Sequence, residues 1–150
     1  MFKIANVSMV DFPKFTMFVP DVTIRILDTI KVPENPNFPN LFFEDPNPFP
    51  NAEDFQFRFD DVPEFDEQRN PCPGCITDDQ ALELFDILQY AAEEELKVLV
   101  HCVMGKCRSG GVTHAGIQIA GTFGYQYQYF DNHAIPNAAV KTKITRNLYL

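Results

Sequence analysis

The sequence predicts an α/β fold, in one domain over residues 1–150. Two observations support this prediction. Segments with strand and helix patterns alternate along the chain, ending in the order strand, helix, strand, loop, helix. The run at 97–101, KVLVH, is short and apolar, as expected of a buried strand in a parallel sheet. Of the 150 residues, 45% are hydrophobic and 22% are charged, which is enough apolar material to bury a core.

Two strands are predicted in the first part of the chain. Residues 21–27 alternate apolar and polar side chains, and residues 55–59 carry a phenylalanine at every second position. Between them, residues 33–50 hold six of the 12 prolines. Because proline blocks both helix and central strand, this segment predicts a long ordered loop. Residues 1–20 and this proline-rich loop are expected to shape the rim of a pocket.

Helices are predicted around the strand at 97–101. Thr77 is a suitable N-cap for a helix over 78–95, whose apolar residues recur at helical spacing. A second helix is expected from near Ser109 to about Thr122, and a third over roughly 137–148. Ligands bind parallel α/β sheets at the carboxyl ends of the strands, so the loop after Val100 is the expected position of a site.

That loop has the sequence HCVMGKCRSG over 101–110. Its turn is eased by Gly105, and successive backbone N–H groups can point inward as an anion nest at the start of a helix. Arg108 can grip two phosphate oxygens with its planar fork. The same donors would stabilise a thiolate at Cys102, which could then attack phosphorus.

The pattern of His101, Cys102, five further residues, Arg108 and Ser109 resembles the signature of cysteine-based protein tyrosine and dual-specificity phosphatases. The match is specific over about 55–123. It implies a three-layer α/β fold, with a central, mainly parallel sheet flanked by helices, and no metal or other cofactor. Cys102 would form a phosphocysteine intermediate, and Ser109 would assist its breakdown. The implied phosphate-binding residues are Val103, Met104, Gly105, Lys106, Cys107 and Arg108.

Transfer of a phosphoryl group from an alcohol or phenol also needs a proton for the leaving oxygen. The same family takes it from an aspartate in a loop after an earlier strand, and residues 59–65 resemble that loop. The resemblance favours Asp61 as the general acid. Asp60 and Glu64 remain alternative acids, and Asp61 could instead be a turn aspartate that caps its own backbone.

The other cysteines and the histidines allow several roles. The segment Cys72–Cys75 could be half of a zinc site or a tight Pro-Gly turn. It could also be a redox pair: either of its cysteines, or Cys107, could form a disulfide with oxidised Cys102. Because zinc on Cys102 would abolish the nucleophile, no metal is predicted. His101 is expected to orient the loop through backbone hydrogen bonds, and His114 is expected to be structural.

The charge balance restricts the partners. With 12 Lys and Arg against 21 Asp and Glu, the formal net charge is −9, which disfavours nucleic acid and anionic membrane surfaces. The sequence has no apolar run of membrane-span length and no signal-peptide pattern, which predicts a cytoplasmic location with reduced thiols. The expected partner is a phosphorylated protein or peptide.

The predicted function is hydrolysis of phosphotyrosine in proteins, with phosphoserine and phosphothreonine as further possible substrates. Lys106 favours an alternative, because lipid-directed members of the phosphatase superfamily that this motif resembles often carry lysine at that position. That alternative is a phosphatase of phosphoinositides, nucleotides or RNA 5′ ends. A third possibility is a non-catalytic phosphate-binding or zinc-stabilised module.

Overall fold

The computed structural model describes residues 1–29 and 47–150. Its sheet contains β1 (Phe2–Ser8), β2 (Val22–Leu27), β3 (Glu53–Arg58), β4 (Lys97–Cys102) and β5 (Tyr127–Phe130). Its helices are α1 (Asp78–Glu93), α2 (Arg108–Phe123) and α3 (Ala138–Thr145), and short 3-10 helices span Phe12–Lys14 and Arg146–Tyr149. None of these helices is both long and apolar enough to cross a membrane.

The five strands lie in the order β3-β2-β4-β1-β5, and every neighbouring pair is parallel. The predicted strands at 21–27, 55–59 and 97–101 are confirmed, with small shifts at their ends. Of the predicted proline-rich loop over 33–50, residues 33–46 lie outside the described residues.

The predicted three-layer α/β fold is confirmed, and different structural elements pack on the two faces of the sheet. One face packs against all three α-helices in a single apolar core that includes Ile4, Ile24 and Val100. The opposite face carries a second core, in which Leu99 packs against Phe12 and Phe18. Within the described residues, that second layer is formed by the segment after β1, with its short 3-10 helix, and by Phe49 ahead of β3.

Helix α1 begins where the sequence predicts. The Thr77 hydroxyl accepts a hydrogen bond from the backbone N–H of Gln80, and the Gln80 side-chain oxygen accepts one from the backbone N–H of Thr77, which together form a capping box. The Gln80 amide also donates to the carbonyl of Arg58 at 2.9 Å. The cap therefore ties the start of α1 to the end of β3.

Strands β1 and β5 were not predicted. Phe2–Ser8 lies between β4 and β5 in the sheet, so of residues 1–20 only those after it remain available to shape a rim. Its residues are buried on both faces, which removes the alternating pattern that marks a half-exposed strand. Since all five strands are parallel, their carboxyl ends share one edge of the sheet. The loops that follow β2, β3 and β4 meet there.

Candidate active site

Cys102 is the last residue of β4, and the loop after it leads directly into α2. Its side chain is buried, with 2% of its surface exposed. The backbone N–H of Gly105 donates to Cys102 Sγ at 3.2 Å, and Ser109 Oγ lies 3.2 Å from the same sulfur. Two of the predicted site residues thus converge on the sulfur of the candidate nucleophile.

Gly105 is held in a conformation that suits only glycine. Its φ is +74°, and a Cβ atom placed on it would lie 2.2 Å from the backbone nitrogen of Ser8. Its carbonyl accepts a hydrogen bond from the buried Asn6 side-chain amide at 2.7 Å. In a trans peptide the carbonyl and the following N–H point in opposite directions, so Asn6 turns the N–H of Lys106 away from β1.

Asn6 is itself oriented by Tyr129 on β5. The Tyr129 hydroxyl lies 2.7 Å from Asn6 Oδ1 and 3.1 Å from Asp131 Oδ1. Donation of its one proton to the nearer oxygen leaves the Asn6 amide nitrogen to face the loop. Burial raises the pKa of Tyr129 to about 12, so the phenol keeps its proton at neutral pH. Asn6 and Tyr129 therefore act as positioning residues for the loop.

Tyr129→Phe is expected to weaken inhibition by vanadate, a phosphate mimic, by about two- to tenfold, the equivalent of one hydrogen bond. The change removes the bond that fixes the Asn6 amide, so the loop samples wrong orientations. The measurement is the vanadate inhibition constant. Tyr127→Phe on the same strand is the control, since Tyr127 is 43% exposed. An unchanged inhibition constant in Tyr129→Phe would show that the loop does not depend on this contact.

Arg108 is the first residue of α2 and is only 5% exposed. Its Nη1 donates to Asp28 Oδ1 at 2.6 Å and to the carbonyl of Phe59 at 2.9 Å. Among the described residues, no hydrogen bond engages its Nε or Nη2 atoms. The guanidinium is thus anchored at one nitrogen by the ends of β2 and β3, and its other nitrogens are available to an anion.

Asp61 lies beside the loop. Its carboxylate accepts a hydrogen bond from the side-chain amide of Asn137 at 2.8 Å, and the backbone N–H of Asn137 donates to the carbonyl of Cys107 at 2.9 Å. Burial, and then the nearby negative charge of Asp61, raise the pKa of the Cys107 thiol. Asn137 also caps α3, since its Oδ1 accepts from the N–H of Val140. This arrangement holds Asp61 next to the candidate phosphate loop.

The neighbouring Asp60 has a different environment. One carboxylate oxygen accepts from the backbone N–H of Thr29 at 2.9 Å, and the other accepts from its hydroxyl at 2.8 Å. The backbone of Asp60 bonds to Gly74, which adopts φ +81° against the Asp60 side chain. Glu64 pairs with Arg146 at 3.3 Å. Asp60 and Glu64 thus have other partners, and Asp61 stays the predicted acid.

The segment Cys72–Cys75 forms the turn that packs on Asp60. The backbone N–H of Cys75 lies 3.4 Å from the carbonyl of Cys72, and all four cysteines are free thiols. Burial raises the pKa of Cys75. Within residues 1–29 and 47–150, no three His, Cys, Asp or Glu side chains are grouped so that they could hold a metal ion. The tight-turn interpretation accounts for the contacts of this segment.

His101 lies on the opposite face of the sheet from the candidate nucleophile, with its ring 4.6 Å from that of Phe12. Burial lowers its pKa to about 4, and the positive charge of neighbouring Arg25 acts in the same direction, against a hydrogen bond with the Cys102 backbone. Among the described residues its Nδ1 atom has no hydrogen-bond partner. His101 is thus a buried neutral ring packed against Phe12, and within the part of the chain that the structure describes no contact between this ring and the loop supports the expected orienting role.

The free energy of unfolding is expected to fall by roughly 3 kcal/mol between pH 6.5 and pH 4 because of His101. The folded protein resists protonation of this ring while the unfolded chain accepts it, so stability is complete above the unfolded pKa and lost as the pH falls. Urea unfolding across this range should give a flatter pH dependence for His101→Gln. The exposed His133→Gln is the control, and equal slopes in all three proteins would contradict the expectation.

Sequence reasoning missed three residues that shape this site, namely Asn6, Asp28 and Asn137. Asn137 carries a local signal, because an Asn before a helical segment is a common N-cap. Asn6 and Asp28 carry none, since their partners lie 99 and 80 residues away. No family model matches the chain, and comparison with curated proteins and with solved structures found no match. The phosphatase signature therefore stays a prediction from residues 101–109.

Proposed function

We propose that the protein is a cysteine-dependent phosphatase that hydrolyses phosphotyrosine, and also phosphoserine or phosphothreonine, in a protein or peptide. The observation that carries the proposal is the convergence of the Gly105 N–H and the Ser109 hydroxyl on the buried Cys102 sulfur, each at 3.2 Å. The proposal includes a cytoplasmic setting, where thiols stay reduced.

In the first step, the Cys102 thiolate attacks phosphorus, and an S–P bond forms as the bond from phosphorus to the leaving oxygen breaks. Protonated Asp61 gives its proton to that oxygen, so that an alcohol or phenol departs. The N–H groups of the loop and the free nitrogens of Arg108 bind the equatorial oxygens most tightly in the transition state.

In the second step, water attacks the phosphocysteine. The Asp61 carboxylate takes a proton from the water, the S–P bond breaks, and inorganic phosphate leaves. The electron pair of the broken bond returns to sulfur, where the Ser109 hydroxyl can donate a hydrogen bond to the departing thiolate at the observed 3.2 Å separation. Both steps balance without a metal or cofactor.

The experiment that tests the substrate class is release of inorganic phosphate under reducing conditions. Phosphotyrosine, phosphoserine and phosphothreonine peptides should be hydrolysed with higher kcat/KM than soluble phosphoinositides or mononucleotides. The net charge of −9 supports this order, because it disfavours polyanionic substrates. A preference for phosphoinositides or nucleotides would replace the protein substrate by the alternative that Lys106 suggests.

A further inference from the structure

A cleft of about 490 Å³ lies beside the candidate active site, between the loop after β3 and the first turns of α3. Residues 61–64 line one side, and residues 137–139 with Thr142 line the other. Its volume falls within the range of about 300–1,000 Å³ that is typical of ligand pockets. The proposed chemistry uses only one of these residues, Asp61.

Two residues that line the cleft connect it to the catalytic loop. Asp61, the proposed acid, lines it, and so does Asn137, whose backbone N–H donates to the carbonyl of Cys107 at 2.9 Å. A leaving oxygen protonated by Asp61 must lie next to that carboxyl group. The side chain attached to this oxygen therefore begins beside Asp61, a residue that lines the cleft.

The lining defines the chemistry of an occupant. The side chains of Val62, Pro63 and Ala139 are apolar, while Glu64 adds a carboxylate and Asp61 is protonated in the proposed first step. An aliphatic stem with a cationic tip matches this combination, because the stem packs on apolar surface while the tip reaches a carboxylate. An acidic side chain would meet the like charge of Glu64 in the same place.

The cations near the cleft leave part of the Glu64 charge in place. Among the described residues, no lysine or arginine lines it. On α3, Lys143 pairs with Asp78 at 3.1 Å, and the charge of Lys141 acts on His114. Arg146 forms an ion pair with Glu64 at 3.3 Å, which offsets part of the Glu64 charge. Because the Arg146 side chain is 48% exposed, solvent screens this pair.

We propose that this cleft binds the side chain of a residue that flanks the phosphorylated residue, and that it selects lysine or arginine there. The inference rests on the proposed phosphatase function and adds a substrate preference to it. The cleft supplies the apolar walls and the Glu64 carboxylate, while the catalytic loop holds the phosphate. The selected substrates are therefore phosphopeptides with a basic flanking residue.

The test compares phosphotyrosine peptides in which Lys, Ala or Glu is placed at one position at a time, from two residues before the phosphotyrosine to two after it. At one or more positions, kcat/KM should fall in the order Lys, Ala, Glu, with about three- to tenfold between the extremes. Thr142→Lys places a cation in the cleft and should abolish or reverse that order. Thr122→Lys adds the same charge to an exposed position near the end of α2 and should keep it.

p-Nitrophenyl phosphate has no flanking residues, so its hydrolysis distinguishes failure of the cleft proposal from failure of the phosphatase proposal. If the wild type hydrolyses it but shows no preference among the peptides, the cleft proposal is overturned and the phosphatase proposal stands. The same holds if Thr142→Lys and Thr122→Lys change the preference equally. If a second copy of the chain fills the cleft, Thr142→Lys should dissolve a dimer in sedimentation while leaving the peptide order unchanged, which also overturns it. Absence of all hydrolysis by the folded protein overturns both proposals.

Discussion

Arg108→Lys is expected to lower kcat/KM for p-nitrophenyl phosphate by about 10²- to 10³-fold, the loss typical of removing one transition-state donor. Arg108 can use one nitrogen for its anchors and still present two others to phosphate. A lysine ammonium is a single point and cannot serve both the anchors and two phosphate oxygens. The measurement is steady-state hydrolysis, with thermal unfolding recorded for each variant.

Asp28→Asn tests the anchor separately, and a smaller loss is expected because the Phe59 carbonyl still holds Nη1 at 2.9 Å. Arg146→Lys is the control, since it makes the same exchange at a surface ion pair with Glu64. Wild-type activity in Arg108→Lys would rule out a bidentate phosphate clamp. A loss of folding in that variant would be visible in the thermal unfolding curve, and the Asp28→Asn result would then decide the role.

Asp61→Asn is expected to reduce hydrolysis of phenyl phosphate by about 10²- to 10⁴-fold, the usual contribution of a general acid. The loss should be much smaller for an aryl phosphate whose leaving group departs easily as an anion, because that oxygen needs no proton. The measurement is the dependence of kcat/KM on the leaving-group pKa across a series of aryl phosphates. Equal losses across the series would remove Asp61 from the acid role.

Asn137→Ser separates positioning of the acid from capping of α3. A serine can still accept from the N–H of Val140, as Asn137 Oδ1 does, but it lacks the amide that donates to Asp61 at 2.8 Å. The variant should therefore show the leaving-group pattern of Asp61→Asn in weaker form. Asn147→Ser, near the end of the same helical segment, is the control. A uniform loss on every substrate would mean that Asn137 has only a structural role.

The elements that the sequence predicts well are those defined by local chemistry. Thr77 and Gln80 form both halves of a capping box within four consecutive residues, so the start of α1 is readable from the sequence. The strand at 97–101, the turn at Gly105 and the helix after it are also contiguous, so the order of Cys102, Arg108 and Ser109 is visible without tertiary contacts.

The elements that the sequence did not predict depend on contacts between segments that are far apart in the chain. β1 is buried on both faces and therefore has no alternating pattern, and β5 has only four residues, two exposed and two half-buried, at the edge of the sheet. Asp28 approaches Arg108 only because β2 and β4 pair in parallel, which brings the loop after β2 to the same edge as α2. Such contacts follow from sheet order, which local patterns do not specify.

The central claim is that Cys102 is the nucleophile of a metal-independent phosphatase. The most direct measurement is hydrolysis of p-nitrophenyl phosphate under reducing conditions with a chelator present, comparing the wild type with Cys102→Ser and with Cys72→Ser as a matched control. We expect the wild type and Cys72→Ser to hydrolyse the substrate and Cys102→Ser to be inactive. Hydrolysis that survives in Cys102→Ser, or a folded wild type without activity, would contradict the claim.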